Sequence, residues 1–158
     1  MRNLKSWLLE YSEHHADPHN RAIHRACIPV TVFALCCAFR AVPVGDALWN
    51  PASLALLAWL AFYLCLSWQL SLGMLMLFSV MYSGALLLES AVGSALPWVA
   101  LALFVASLAV QALGHRHERR KPSLLGHLRL FMIAPLWQLA DVYRRMEIPY
   151  GSSLASYR

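Results

Sequence analysis

The chain has 158 residues, of which 59% are hydrophobic and only 13% charged, with a formal net charge of +5. A soluble domain carries about a quarter charged residues, so this composition excludes an ordinary water-exposed surface. The basic residues sit at the ends of apolar runs, which argues against nucleic acid as a partner and for lipid headgroups beside membrane spans.

At the N-terminus, Leu4, Trp7, Leu8 and Tyr11 recur at helical spacing among Arg2, Lys5 and Glu10. This predicts an amphipathic interfacial helix within residues 1–16. The segment lacks the uninterrupted apolar core and cleavage site of a signal peptide and is expected to remain in the mature protein. Asp17 and Pro18 then supply an N-cap and a first helical position. The helix they open runs from His19 through Arg21, His24 and Arg25 into an apolar run ending near Phe39, and Arg40 to Trp49 makes a turn.

Between Arg40 and His115 there is no Lys or Arg, and the only acids are Asp46 and Glu89. Roughly 20 apolar residues cross about 30 Å of hydrocarbon, so this stretch has room for three more spans. They are read as Pro51 to Leu70, a stretch from a connection at Gly73 to Leu88, and Trp98 to Gly114 after a turn over Glu89 to Pro97. The tail from Ser123 to Tyr143 is apolar but interrupted by His127, Arg129, Pro135 and Asp141. It reads as interfacial helices, or as a re-entrant pair broken at Pro135.

The expected fold is therefore all-α, an integral membrane bundle of about four transmembrane helices with amphipathic N- and C-terminal interfacial helices. Residues 1–158 form a single membrane domain, with the spans in 19–114 and a cytoplasmic-face segment and tail in 115–158. Arg2, Lys5, Arg21 and Arg25 precede the first span, and Arg116, Arg119, Arg120 and Lys121 follow the fourth. An even number of spans puts both groups, and both termini, on the cytoplasmic side. Richness in Ala, Leu and Arg points to a bacterial inner membrane. The four cysteines, Cys27, Cys36, Cys37 and Cys65, form no CxxC pair and read as free thiols.

The seven histidines fall in two clusters, His14, His15, His19 and His24, then His115, His117 and His127. The topology brings both clusters to one membrane face, which makes them candidates for one metal site. Asn20 and His24 share a helix face, as do Tyr11 and His15, and Gln111 and His115 with Glu118 beyond them. The break at Asp17 and Pro18 lets the chain bend and bring His15 towards His24. Imidazoles with one carboxylate suit Fe(II), Zn or Mn, and the amides of Asn20 and Gln111 are placed to orient ligands. The plain alternative is that these histidines meet lipid headgroups and the protein is a non-catalytic lipid-binding bundle.

The segment Tyr11-Ser-Glu-His-His15-Ala-Asp17-Pro18-His-Asn20-Arg-Ala-Ile-His24, followed by Gln111-Ala-Leu-Gly114-His115-Arg-His-Glu118-Arg-Arg-Lys-Pro122, resembles a known pair of motifs. They are those of the membrane 2-hydroxy-fatty-acid dioxygenase family, which includes a yeast enzyme of the phytosphingosine pathway. That pattern is a Tyr, then His-x-Asn-Pro-x-Asn-x-x-x-His, then Gln-x-x-Gly-His with Glu and Pro close behind. Here Asp17 stands in place of the family's usual Asn, and Glu118 follows His115 by three residues, where the yeast-type enzyme has four.

The resemblance implies an Fe(II)-dependent, dioxygen-consuming alpha-oxidation that leaves a 2-hydroxy fatty acid one carbon shorter. On this reading His15, His24 and His115 are taken as metal ligands with Glu118 a fourth candidate, Tyr11, Asn20 and Gln111 stand behind them, and Arg21, Arg25 or Arg116 is placed to hold the substrate carboxylate. The substrate supplies its own electrons, so no 2-oxoglutarate is required. A zinc-dependent lipid hydrolase is the competing enzyme reading. An oligomer is compatible with all of them.

Overall fold

Side-chain caps open the first four helices in the computed structural model, which describes residues 3–117 and 124–150. Asn3 accepts the Ser6 amide and opens α1 (Leu4–His14). Asp17 accepts the Asn20 amide at 2.9 Å and, with Pro18 at the first position, opens α2 (Pro18–Arg40). Asn50 and Ser53 form a reciprocal capping box at the start of α3 (Pro51–Leu64), and Ser67 caps α4 (Trp68–Val92). Gly93, at a φ of 54° that favours glycine, ends α4. One 3-10 turn leads into α5 (Leu96–Gly114), and α6 (Leu124–Arg145) follows. The described residues contain no strand.

Three sequence expectations change. The second apolar helix stops at Leu64, and Ser67 starts the next at Trp68, so Gly73 lies inside α4. There a Cβ would fall 2.5 Å from the Tyr143 hydroxyl, so this glycine serves close helix packing. Glu89 belongs to α4, with its carboxylate 2.8 Å from Arg40 Nε. The tail is one helix that runs through Pro135 without breaking into a pair. Proline loosens the turn before it, and there the Met132 carbonyl accepts from Trp59 Nε1 at 2.9 Å and the Tyr63 hydroxyl at 2.7 Å.

Side-chain contacts fix the helix directions. Phe33 packs at Gly84 and Arg40 pairs with Glu89, so α2 and α4 run the same way. Thr31 meets Ser107 and Asn20 meets Gly114, so α5 runs against α2. Trp59 packs on Phe78 and Asn50 bonds Tyr82, so α3 runs against α4. Helices α1 and α6 cover the end where α2 begins and α3 ends, with Trp7 edge-on to Phe62 and Arg129 ion-paired to Glu10.

Two helical stretches are long and apolar enough to cross a membrane: Pro18–Arg40, of 23 residues, and Trp68–Gly114, of 47 residues, which Gly93 divides into α4 and α5. Helix α3 has 14 residues, and at 1.5 Å per residue it rises only about 21 Å, short of a full hydrocarbon crossing. The outward faces of α3, α4 and α5 expose Leu57, Met76, Val80, Leu87, Leu101 and Val105. An apolar surface of that extent marks contact with lipid or protein in place of water.

Asp141, 6% exposed, docks α6 on α2. Its carboxylate accepts from Arg25 at 2.8 Å and is joined by Arg144 and Arg145 of its own helix. Asp141→Ala is expected to cost about 1–3 kcal/mol by removing the hydrogen bonds of a buried carboxylate to charged partners, read as a lower melting temperature in detergent. Arg145→Ala, whose side chain is 63% exposed, should cost far less.

Candidate metal centre

Three histidines from three chain segments meet where α2 starts and α5 ends. One nitrogen from each of His15, His24 and His115 lies within 4.8 Å of the other two. Their ring centroids are 4.4 Å apart for His15 and His24, 4.7 Å for His24 and His115, and 5.2 Å for His15 and His115. His15 and His24 are buried and His115 is half-buried.

Local structure delivers each ring. His15 is the C-cap of α1, where the chain leaves helical geometry before Asp17 restarts it. His24 sits in the second turn of α2, and His115 caps the C-terminus of α5. The last contact depends on Gly114. A Cβ there would lie 2.5 Å from Asn20 Oδ1 and 3.2 Å from Ile23 Cδ1, so any larger residue has to push these side chains aside.

The two buried rings are locked in one tautomer. His15 Nδ1 lies 2.9 Å from the Tyr11 carbonyl, and His24 Nδ1 lies 3.1 Å from the Asn20 carbonyl. A carbonyl only accepts, so each Nδ1 must carry the proton, leaving each Nε2 with a lone pair for a metal. Burial and the neighbouring imidazoles of His24, His115 and His14 push His15 down to about 3, despite the opposing Tyr11 hydrogen bond. A neutral, deprotonated Nε2 is the form that binds metal.

These donors fit a divalent transition metal. Metal–imidazole bonds of about 2.1 Å hold their nitrogens about 3 Å apart, so modest side-chain closure would complete the set. Among the described residues no carboxylate joins the three. Glu118, the expected fourth ligand, lies outside the described residues.

Asn20 orients His24 through its backbone carbonyl, while its side chain fills the space over Gly114. Gln111 bonds Thr31 Oγ1 at 2.8 Å and Ser107 at 3.3 Å, tying α5 to α2 one turn below His115. The Tyr11 ring stacks on His15 at 4.1 Å with a 6° tilt. Arg21 Nε donates to the His15 carbonyl at 2.6 Å. Arg25 is drawn off to Asp141, and Arg116 is exposed beside His115. His14 is half-buried and His19 exposed, and neither joins the cluster.

Sequence reasoning missed what α6 does here. Gln138 Nε2 donates to the His24 carbonyl at 2.9 Å, and Trp137 lies 4.8 Å from Tyr11 while its Nε1 donates to Ser12. The available signal was the pair Gln138 and Asp141, polar residues one turn apart in an apolar tail.

The model of the Mpo1-like family, described as 2-hydroxy-palmitic acid dioxygenase Mpo1-like, matches residues 1–146. No curated protein and no solved structure matches the chain.

Gly114→Ala is expected to force α5 off Asn20 and displace His115. Metal affinity should fall about 10–100-fold, the usual effect of disturbing ligand support, as measured by competition with a chelator. A second expectation concerns pH. The unfolded chain takes up a proton at His15 near its ordinary value of 6.5, whereas the folded chain resists until about 3. The stability that His15 contributes to the metal-free protein is therefore full above about 6.5 and lost as pH falls towards 3. Thermal melts across that window check it, with His15→Gln expected to flatten the slope.

Proposed function

The chain belongs to the 2-hydroxy-palmitic acid dioxygenase Mpo1-like family, and from that premise we propose that it is an Fe(II)-dependent dioxygenase that shortens 2-hydroxy fatty acids by one carbon. The observation that carries this reading is the trio His15, His24 and His115, two of whose rings are buried and held with Nε2 available. One 2-hydroxy acid and one dioxygen give the acid one carbon shorter, carbon dioxide and water. The four electrons come from C2 and from the decarboxylation, so no further reductant enters.

Iron held by His15, His24 and His115, with Glu118 a possible fourth ligand, would supply the redox and Lewis-acid chemistry that dioxygen requires. The protein's part is binding and orientation. Arg21 fixes the His15 carbonyl through Nε, and its guanidinium has further donors for a substrate carboxylate. Arg116 is the second such candidate, on the exposed rim of the same turn. Arg25, engaged with Asp141, supports the site by docking α6.

In this reading α2 to α5 lie in the bilayer with successive helices alternating in direction, α3 too short to cross it fully, and α1 and α6 rest in the interface above the metal. The outward apolar side chains support that placement. Lys5, Arg21, Arg25, Arg116, Arg129 and Arg144 gather at the α1 and α6 end, while at the opposite end Arg40 is paired with Glu89. That asymmetry supports a cytoplasmic position for the site and both termini, in a bacterial inner membrane. The acyl tail would extend from the site into the adjoining leaflet.

Elemental analysis of anaerobically purified protein, native and His24→Ala, tests the proposal. The expected outcome is about one iron per chain, lost in the variant, with oxygen uptake on 2-hydroxypalmitate that falls at least 100-fold in the variant. Zinc in place of iron, with lipid hydrolysis independent of dioxygen, would establish the hydrolase alternative. A metal-free native protein after iron is added back would leave a lipid-binding bundle.

A further inference from the structure

Tyr11 carries a polar group that the fold does not use. The residue is 2% exposed, and its hydroxyl has no hydrogen-bond partner among the described residues. Buried hydroxyls are costly to leave unmade, and an orphan in a native protein marks a role outside the fold itself. Nearby groups do not relieve it. The Trp137 indole leans on the Tyr11 ring, but its Nε1 is committed to Ser12.

The stacking sets the phenol beside the site. His15 turns Nδ1 back to the α1 backbone, so Nε2 is the outer end of its ring. Tyr11 rises one turn earlier, and its ring lies parallel to the imidazole at 4.1 Å. The phenol therefore forms part of the wall around the trio His15, His24 and His115. A phenol is protonated at neutral pH and offers a donor.

We propose that the Tyr11 hydroxyl donates a hydrogen bond to an oxygen of the 2-hydroxy-acid head of the substrate, making Tyr11 a substrate-binding residue of this centre. This rests on the reading of the site as one for 2-hydroxy acids. The acid's carboxylate and 2-hydroxyl both present oxygen acceptors, and a buried donor without a competing partner favours a ligand that brings one. The hydrophobic flank of Trp137 keeps that donor from solvent.

The test compares the native protein with Tyr11→Phe, which removes one oxygen and preserves the ring stack. Three quantities are measured on anaerobic, iron-loaded protein in detergent: iron per chain, the melting temperature without ligand, and affinity for 2-hydroxypalmitate and for palmitate. The expected result is unchanged iron, a melting temperature equal to or above the native value, and about tenfold or greater loss of 2-hydroxypalmitate affinity. If palmitate affinity falls equally, the acceptor is the carboxylate; if it is untouched, the acceptor is the 2-hydroxyl. Either supports the proposal.

Unchanged 2-hydroxypalmitate affinity in Tyr11→Phe, against a native protein that binds it, overturns the role of Tyr11 and leaves the functional reading intact. Loss of iron in step with loss of affinity also overturns it, because the phenol would then act on the metal centre. A native, iron-loaded protein that binds no 2-hydroxy acid overturns the functional reading, and this proposal with it.

Discussion

The close approach of α2 and α5 is the constraint on which the rest of this molecule depends. His24 and His115 are far apart in the chain and meet where Gly114 leaves room for Asn20. The seam below them is polar within an otherwise apolar bundle. Thr31 Oγ1 and Ser107 Oγ lie 2.6 Å apart, Ser107 also donates to the Cys27 carbonyl at 2.9 Å, and Gln111 bonds Thr31. In a hydrophobic setting such groups have few other partners, so they hold the two helices in one register. A slip of one residue along this seam would break the bonds and carry His115 away from the other two rings.

The remaining elements complete what the seam begins. Helix α1 brings His15 from outside the bundle, and the cap at Asp17 turns the chain sharply enough to set it against His24. Helix α6 then closes the arrangement from the other end of the sequence. It grips the His24 carbonyl through Gln138, Arg25 through Asp141, and α1 through Trp137. The centre is thus assembled by tertiary contacts from both ends of the chain. Its rigidity should follow the docking of α6 as much as the stability of the bundle.

Much of this was legible in the sequence. The restart at Asp17 and Pro18, the long apolar runs and the two groups of histidines all rest on local signals, and each has its counterpart in a cap, a helix or the cluster of three histidines that could hold a metal. What escaped depends on partners. Gly73 reads as a breaker, yet it sits within α4 because Tyr143 packs on it, and nothing near Gly73 announces a residue so distant. Glu89 reads as part of a turn, but the helix end is set by Gly93 and the carboxylate is occupied by Arg40. Spacing places Asn20 and His24 on one face, but it does not say that the Asn20 backbone carbonyl meets the His24 ring or that Gln111 reaches Thr31.

The use of main-chain carbonyls to hold His15 and His24 has an evolutionary consequence. Many metal centres set the tautomer of a ligand with a carboxylate, and one point mutation can remove it. Here the acceptors belong to the peptide backbone at positions 11 and 20, and no exchange of side chain deletes them while the helices persist. The electronic state of the ligands is thereby insulated from drift at those two positions. Their side chains are released for other work, one to fit a helix crossing at Gly114 and the other to lie flat against an imidazole. Substitutions around the cluster can then accumulate while the backbone keeps these two imidazoles in one tautomer.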